Sequence, residues 1–234
     1  DNAGFSIGSY GGDGNSARTV GHGLSAKCDL VIIKSRDSAD KWPAQLPQLG
    51  DNARMVLEAT AGKTDDSTTA QAGNATVFGI GGDNSVNKSG DRFIAYCFRN
   101  VTGYQKIGTY TGDGQTDQTI TTGFKPDFIV IKSTVGNANW RVYDTKRTID
   151  GGFIRIHTTG APHTDSDTPN IEIISTGFKI TSGGVNNGVN ANGNLYFYWA
   201  IAKNVPSNNT LANSFRAVTY TGNQNTNSIT GVGF

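Results

Sequence analysis

The stretch GYQKIGTYTGDGQTDQTITTGFKPDFIVIK at residues 103–132 decides the fold, because its pattern occurs at two other places in the chain. An earlier copy, GFSIGSYGGDGNSARTVGHGLSAKCDLVIIK, covers residues 4–34, and a later copy, FRAVTYTGNQNTNSITGVGF, covers residues 215–234. Self-similarity at a fixed spacing is the signature of a repeat architecture. The matching positions include the tyrosines Tyr10, Tyr110 and Tyr220 and the glycines Gly12, Gly112 and Gly222.

Each copy has the pattern of a β-hairpin. In the middle copy an alternation of apolar and polar residues at 106–110 leads into Thr-Gly-Asp-Gly, and glycines in such a tight turn accept positive φ. A second strand is predicted at 118–121 and a β-branched strand at 128–131. Short strands separated by Gly, Asn, Asp and Ser are typical of a sandwich or barrel. We therefore predict an all-β fold of tandem, jelly-roll-like β-sandwich repeats of about 100 residues each.

The repeat also predicts the domain boundaries. Residues 1–101 form the first unit, residues 102–204 the second, and residues 205–234 a linker with the start of a third. Trp42 and Trp140 support this division, because they stand at the same distance from Lys34 and Lys132. The short junction at 99–105 predicts that the two units are packed together or rigidly jointed, whereas the polar residues 203–214 predict an exposed linker. Since the third copy stops inside its pattern, we expect the native polypeptide to extend beyond both ends.

The last strand of each unit is apolar on both faces, in FIAYCF at residues 93–98 and YFYWAI at residues 196–201. Such runs belong to strands that are covered on both sides. We predict that each lies centrally in its sheet, with one face in the sandwich core and the other under a loop or a neighbouring unit.

Composition and charge exclude several classes of partner. The 234 residues include 31 glycines and 17% charged residues, with a net charge of +1. Nucleic acid and anionic membranes need clustered Lys and Arg, so neither is an expected partner. No apolar run approaches the roughly 18 residues of a membrane span. Cys28 and Cys97 are interpreted as buried free thiols; a bridge stays the alternative, because pairing needs Cα atoms within about 7 Å.

Two groups of residues are candidate metal sites. His163, Asp165 and Asp167 alternate along the chain, but structural metal sites almost always close with four ligands, so a solvated loop is favoured. The Gly-Asp-Gly turns with Asp13 and Asp113 are explained by turn geometry rather than by calcium. No metal and no cofactor is expected.

The sequence predicts a protein that is not an enzyme. A nucleophilic site needs a Ser or Cys, a His and an acid brought together, yet His22 and His157 do not recur between copies and no G-x-S-x-G motif is present. A paired-carboxylate glycosidase stays open as an alternative, since it needs only two acids. Its candidates are Asp144, Asp150, Asp165 and Glu172.

One stretch, WRVYDTKR at residues 140–147, combines flat rings with acidic and basic groups, as in sites that bind sugars. We predict a ligand site formed by Trp140, Tyr143, Asp144 and Arg147. A structural interpretation competes with it, because the two rings also suit a strand core and the two charges also suit a local pair worth less than about 1 kcal/mol. The loops at 62–73 and 160–169 are the further places where surface function is expected.

The chain also resembles a known class of proteins. Its Tyr-Thr-Gly-Asp/Asn hairpin, followed by Gly-Phe-x-Pro-Asp, an apolar run with Lys, and Trp-x-Val-Tyr-Asp, resembles repeats of tail-fibre-like and other virion structural proteins of bacteriophages, notably marine ones. The resemblance covers nearly the whole chain, and FIAYCF followed by VTGYQKIGTY resembles the junction between two such repeats. The first unit departs from it, with Trp42-Pro-Ala-Gln where Trp-x-Val-Tyr is usual.

The resemblance implies a non-enzymatic virion structural protein, a module of a tail fibre or other external appendage that acts as a stalk or a host-glycan-binding surface. The implied partners are other virion proteins, a host cell-surface glycan and copies of the chain itself in a homo-oligomer, for which we expect a trimer. Two alternatives are a capsid-decorating or head-fibre protein and a carbohydrate-active enzyme module. Units joined in series would give length and multivalency, by which weak single contacts gain avidity.

Overall fold

The computed structural model describes residues 4–147, 152–162, 171–181 and 188–203, together with Gly222 and Ile229. Within these residues the regular structure is almost entirely strand, arranged in four antiparallel sheets, which confirms the predicted all-β sandwich class. The helical segments of the described chain are α1 (Asn84–Asn87) and a 3-10 helix (Pro47–Leu49). Among the described residues, no helix has the length and apolar character needed to cross a membrane.

The first unit contributes one large and one small sheet. The large sheet has the strand order β1-β8-β3-β4-β5-β6, and β2 pairs with β7 in the small sheet. The strands are β1 (Phe5–Gly11), β2 (Arg18–Gly21), β3 (Leu30–Ser35), β4 (Pro43–Gln45), β5 (Ala53–Val56), β6 (Thr64–Asp65), β7 (Val77–Ile80) and β8 (Arg92–Phe98).

The second unit has a large sheet in the order β13-β12-β11-β16-β9 and a small sheet in the order β10-β15-β14. Its strands are β9 (Gln105–Thr111), β10 (Gln118–Thr121), β11 (Pro126–Ser133), β12 (Arg141–Asp144), β13 (Ile154–Arg155), β14 (Ile171–Ile174), β15 (Gly177–Ile180) and β16 (Leu195–Ala202). The order β9-β16-β11-β12-β13 thus has the arrangement of β1-β8-β3-β4-β5 in the first unit. The division into tandem repeats with boundaries at 101 and 204 stays a prediction.

Three apolar clusters join the sheets into layers. In each unit one face of the large sheet packs on the small sheet, through Phe93 and Phe78 in the first unit and Tyr196 and Phe178 in the second. The remaining faces of the two large sheets pack on each other. This inter-unit core contains Leu30, Ile32, Ala44, Leu46, Ala53 and Met55 from the first unit and Ile107, Val130, Trp140, Val142 and Phe197 from the second.

The prediction for the last strand of each unit is confirmed. Strand β8 lies between β1 and β3, and β16 lies between β11 and β9. Phe93 and Tyr196 face the cores of their own units, whereas Tyr96 and Phe197 face the neighbouring unit. Both strands are therefore covered on their two faces, which explains their unbroken apolar sequences.

The Gly-Asp-Gly turns are held by buried asparagines. After β1, the fully buried Asn87 accepts a hydrogen bond from the backbone N–H of Asp13 at 3.1 Å and donates to its Oδ1 at 2.8 Å. Gly14 in this turn has a φ of 73°, which favours glycine. After β9, Asn190 makes the same two bonds to Asp113, both at 3.0 Å. Protein donors thus occupy these carboxylates, as turn geometry requires.

The repeated tyrosines have matching surroundings. The hydroxyls of Tyr10 and Tyr110 donate to the carbonyl oxygens of Val86 and Val189, each at 2.7 Å. Burial raises the pKa of both hydroxyls above the ordinary value. Each tyrosine therefore ties its edge strand to the segment that also carries the turn-holding asparagine.

The junction between the units is firmly bonded. The side chain of Asn100 accepts from the backbone N–H of Ile107 at 2.6 Å, and its own backbone N–H donates to Asp29 at 2.7 Å. Gln105 donates to the carbonyl oxygen of Gly4 at 3.1 Å. Together with the inter-unit core, these bonds confirm that the two units pack together. Most of the predicted linker and of the third copy lies outside the described residues.

Cys28 and Cys97 are both free and buried, which confirms the interpretation made from the sequence. They lie in the core of the first unit, with Cys97 on β8. The hydrogen bond between the two sulfurs and their burial raise the pKa of the Cys28 thiol, so it stays protonated and unreactive at neutral pH.

Candidate functional site

The structure buries the two rings that were predicted to bind a sugar. Trp140 is 2% exposed in the inter-unit core, and Tyr143 is 3% exposed in the core of the second unit. The reason is that β12 lies between β11 and β13 and is covered on both faces. Neither ring has a face on which a saccharide could stack, so the structural interpretation describes these two residues correctly.

Asp144 and Arg147 form the local pair that was the alternative to a ligand site. The guanidinium Nε of Arg147 lies 2.7 Å from Oδ2 of Asp144, and its Nη2 donates to the carbonyl oxygen of Val142 at 2.7 Å. Burial acts to raise the pKa of Asp144, but the backbone N–H groups of Arg147 and Lys146 outweigh it and lower the pKa. Each charge is thus used within the protein.

Trp140 instead connects the units. Its indole Nε1 donates to the carbonyl oxygen of Val56 in the first unit at 2.9 Å, and its ring packs edge-on against Phe197 at 6.1 Å. The corresponding Trp42 is 36% exposed. The Nζ of a lysine lies above each ring. The Nζ of Lys34 is 5.9 Å from the centre of the Trp42 ring, and that of Lys132 is 6.0 Å from the centre of the Trp140 ring. The local sequence is shared, but only the second tryptophan is enclosed by the other unit.

Lys132 is a fully buried cation at the same boundary. Its Nζ donates to the carbonyl oxygen of Thr60 in the first unit at 2.9 Å and to that of Ser133 at 3.1 Å. Desolvation lowers its pKa to about 8. Two carbonyl dipoles and the ring of Trp140 lie beside it, and burial together with the charge of Lys132 lowers the pKa of His157. This ammonium thus links the units without a carboxylate partner in the described chain.

Two adjacent spaces lie where the large sheets meet. A partly open cavity of about 120 Å³ is lined only by apolar side chains, among them Leu30, Val130 and Trp140. A groove lined by Trp42, Leu57, Glu58 and Ile156 opens beside it. The carboxylate of Glu58 accepts from the backbone N–H of Trp42 at 3.0 Å. The groove can therefore make apolar contacts, but its lining offers one carboxylate rather than the pair that glycoside hydrolysis needs.

Other predicted candidates lie partly outside the described residues. His163, Asp165 and Asp167 are outside them, as is Asp150. Within the described part of the chain, no group of three or more His, Cys, Asp and Glu side chains could hold a metal ion.

The structure brings together two residues that the sequence reasoning missed, Arg141 and Arg155. They stand opposite each other on β12 and β13. Both guanidinium groups lie over the ring of Phe153, at 4.4 Å and 5.7 Å from its centre. A signal was available in the sequence, because Arg141 follows Trp140 whereas Pro43 follows Trp42.

A family model described as a domain of unknown function, DUF7483, matches residues 1–205. The chain therefore belongs to this family, and the match spans both units. No curated protein and no solved structure matches the chain.

We expect Trp140→Ala to lower the free energy of unfolding by about 3–5 kcal/mol, because it removes a fully packed ring and leaves a cavity. Trp42→Ala is the matched control, since it alters the corresponding residue at an exposed position; its cost should stay below about 1 kcal/mol. Equilibrium unfolding in urea measures both. Equal losses for the two variants would contradict the burial of Trp140 between the units.

The buried Lys132 predicts a pH dependence of stability. Because its pKa is about 8 in the folded chain and 10.5 ordinarily, the unfolded chain binds this proton more tightly. The free energy of unfolding of the wild type, relative to Lys132→Met, should therefore rise as pH increases through that interval. Between about pH 7.5 and 9.5 we expect the difference to grow by about 2 kcal/mol. Urea unfolding at a series of pH values tests this, and a difference that stays constant would contradict it.

Proposed function

We propose that this member of the DUF7483 family is a non-enzymatic structural module of a bacteriophage virion, part of a tail fibre or related external appendage, where it acts as a stalk. The sequence resemblance to tail-fibre-like repeats supports the virion location. One physical observation supports the stalk role, namely that the two units share an apolar core between their large sheets. A stalk has to transmit force along its length, and a shared core resists bending at the junction.

Hydrogen bonds across the unit boundary strengthen this argument. The backbone N–H of Lys63 donates to the carbonyl oxygen of Thr134 at 2.7 Å, and that of Ala138 donates to Thr60 at 2.9 Å. These bonds attach residues 60–63 of the first unit, at the start of the 62–73 loop, to the second unit. Domains joined by an exposed linker move independently as a default. Here the backbone pairing and the shared core hold the two units as one block.

An apolar strip at the other end of the same interface supports self-association. Phe5 is 41% and Ile7 is 57% exposed on the edge strand β1. The ring of Phe5 stacks on Phe98 at 4.7 Å, and Phe98 lies 4.5 Å from Trp199 of the second unit. The strip is thus continuous with the inter-unit core. Strand β1, FSIGSYG, carries neither the charge nor the proline that usually protects an exposed edge.

We assign this strip to a second copy of the chain, in a homo-oligomer for which we propose three subunits. The interface between the two units shows how such an apolar residue can be covered. Ile107 of β9 corresponds to Ile7, and it is 2% exposed because the first unit packs on it. A further copy of the same sheet would cover Phe5 and Ile7 in a similar way. Other virion proteins would then bind the ends of the resulting fibre.

The location on the particle is tested by immunogold electron microscopy of virions that carry this chain, with antibodies raised against the purified protein. Gold should label the tail or its appendages. Label spread over the capsid shell would support the decoration or head-fibre alternative instead, and unlabelled particles would overturn the virion assignment. Particles of an unrelated phage serve as the control for non-specific label.

The oligomer is tested by light scattering after gel filtration. The wild-type chain should elute with about three times its monomer mass, and Ile7→Asp should reduce this to the monomer because it places a charge in the apolar strip. Thr109→Asp, an exposed substitution on the edge strand β9, is the control and should leave the mass unchanged. A wild-type monomer, or an Ile7→Asp variant that stays oligomeric, would contradict the assignment.

A further inference from the structure

Two arginines of the second unit face each other across neighbouring strands. Arg141 on β12 is paired in register with Arg155 on β13, and both guanidinium groups approach the ring of Phe153. Like charges directly opposite each other destabilise an antiparallel pair. The aromatic ring offsets a part of this cost, because a ring face attracts a cation. A negative group between the arginines would offset the rest.

The described surroundings do not supply that negative group. Among the residues that the structure describes, Nε and Nη1 of Arg141, which is 9% exposed, have no hydrogen-bond partner, and neither has Nε of Arg155. None of the ion pairs found among the described residues includes Arg141 or Arg155. Leaving a buried donor or charge without a partner destabilises the folded chain. The described part of the chain therefore leaves nitrogen donors on both arginines available to an anion.

The first unit shows that the fold does not need these charges. Its strands β4 and β5 occupy the same place in the sheet order as β12 and β13. The residues paired there are Pro43 and Val56, which are uncharged. An antiparallel pair at this point of the sheet thus forms without arginine. The arginine pair is a property of the second unit alone, as expected for a ligand site and not for a structural requirement.

We propose that Arg141 and Arg155 form an oxyanion site that binds the carboxylate or phosphate group of an acidic saccharide. Guanidinium groups present planar donors that match both kinds of oxyanion, and they bind them bidentately. Arg141 supplies a buried, fixed charge, and the partly exposed Arg155 admits the ligand from solvent. This inference rests on the proposed virion location and adds the binding of an acidic host glycan to the stalk role, but anion binding can be measured whatever particle carries the chain.

The test uses the purified full chain and isothermal titration calorimetry at low ionic strength. The probes are glucuronate for a carboxylated sugar, glucose 6-phosphate for a phosphorylated sugar, and glucose as the uncharged control. We expect one of the charged sugars to bind and glucose not to bind. Binding by glucuronate alone identifies a carboxylate site, and binding by glucose 6-phosphate alone a phosphate site. Binding by neither overturns the proposal and leaves the arginines to an acidic group of the chain itself.

Two variants separate a ligand role from a structural one. Arg155→Val introduces the residue that stands at the matching position of the first unit, and it should weaken binding of the charged sugar at least about tenfold. Without ligand its melting temperature should equal or exceed that of the wild type, because a pair of like charges is removed. Arg92→Met, which alters an exposed arginine paired with Asp37 in the first unit, should leave binding unchanged. A melting temperature of Arg155→Val that falls by several degrees, or equal loss of binding in Arg92→Met, would overturn the site.

Failure of this proposal is distinguishable from failure of the proposed function. Virions without gold label, together with anion binding that depends on Arg155, would remove the stalk assignment and keep the site. Labelled appendages together with a chain that binds neither charged sugar would keep the stalk assignment and remove the site.

Discussion

The apolar contact between the two large sheets is the constraint on which the rest of the structure depends. Each large sheet has two apolar faces but only one small sheet to cover it, so a single unit would expose Leu30 and Ile32, or Val130 and Phe197, to water. Packing these faces together removes both from solvent at once, which is the dominant favourable term in such an association. This contact explains why Trp140 and Lys132 are buried. It also explains why the side chain of Trp42 is exposed at the surface.

That contact also makes equivalent residues unequal. Tyr10 and Tyr110 make matching hydrogen bonds because each packs in the interior of its own unit. Trp42 differs in exposure from Trp140, and Ile7 differs from Ile107. In each pair only the residue of the second unit lies in the core between the units, because the described chain contains one such interface for two units. The exposed counterparts of interface residues therefore indicate which surface a further copy of the chain would cover. Residues in the interior of a unit give no such indication.

The sequence predicted what depends on local pattern. Alternation and turn chemistry identified the all-β class and the central position of β8 and β16, since a strand with two apolar faces must be covered twice. It missed β6 (Thr64–Asp65) and α1 (Asn84–Asn87), which are only two and four residues long and are composed mostly of polar residues, so neither has an apolar periodicity to predict it. The predicted sugar site at Trp140 and Tyr143 differs from the structure for a related reason. Period-two alternation separates the faces of a strand but does not say what covers each face.

The same comparison indicates where function should be sought in a chain of this kind. Features that both units share, such as the turns held by Asn87 and Asn190, are explained by the fold they have in common. A costly feature that one unit has and the other lacks needs a different explanation, because the first unit shows that the sheet forms without it. The opposition of Arg141 and Arg155, where the first unit places Pro43 and Val56, is such a feature. The ring of Phe153 offsets a part of its cost and a negative group between the charges would offset the rest, which is why we assign ligand binding to the arginines rather than to the tryptophans.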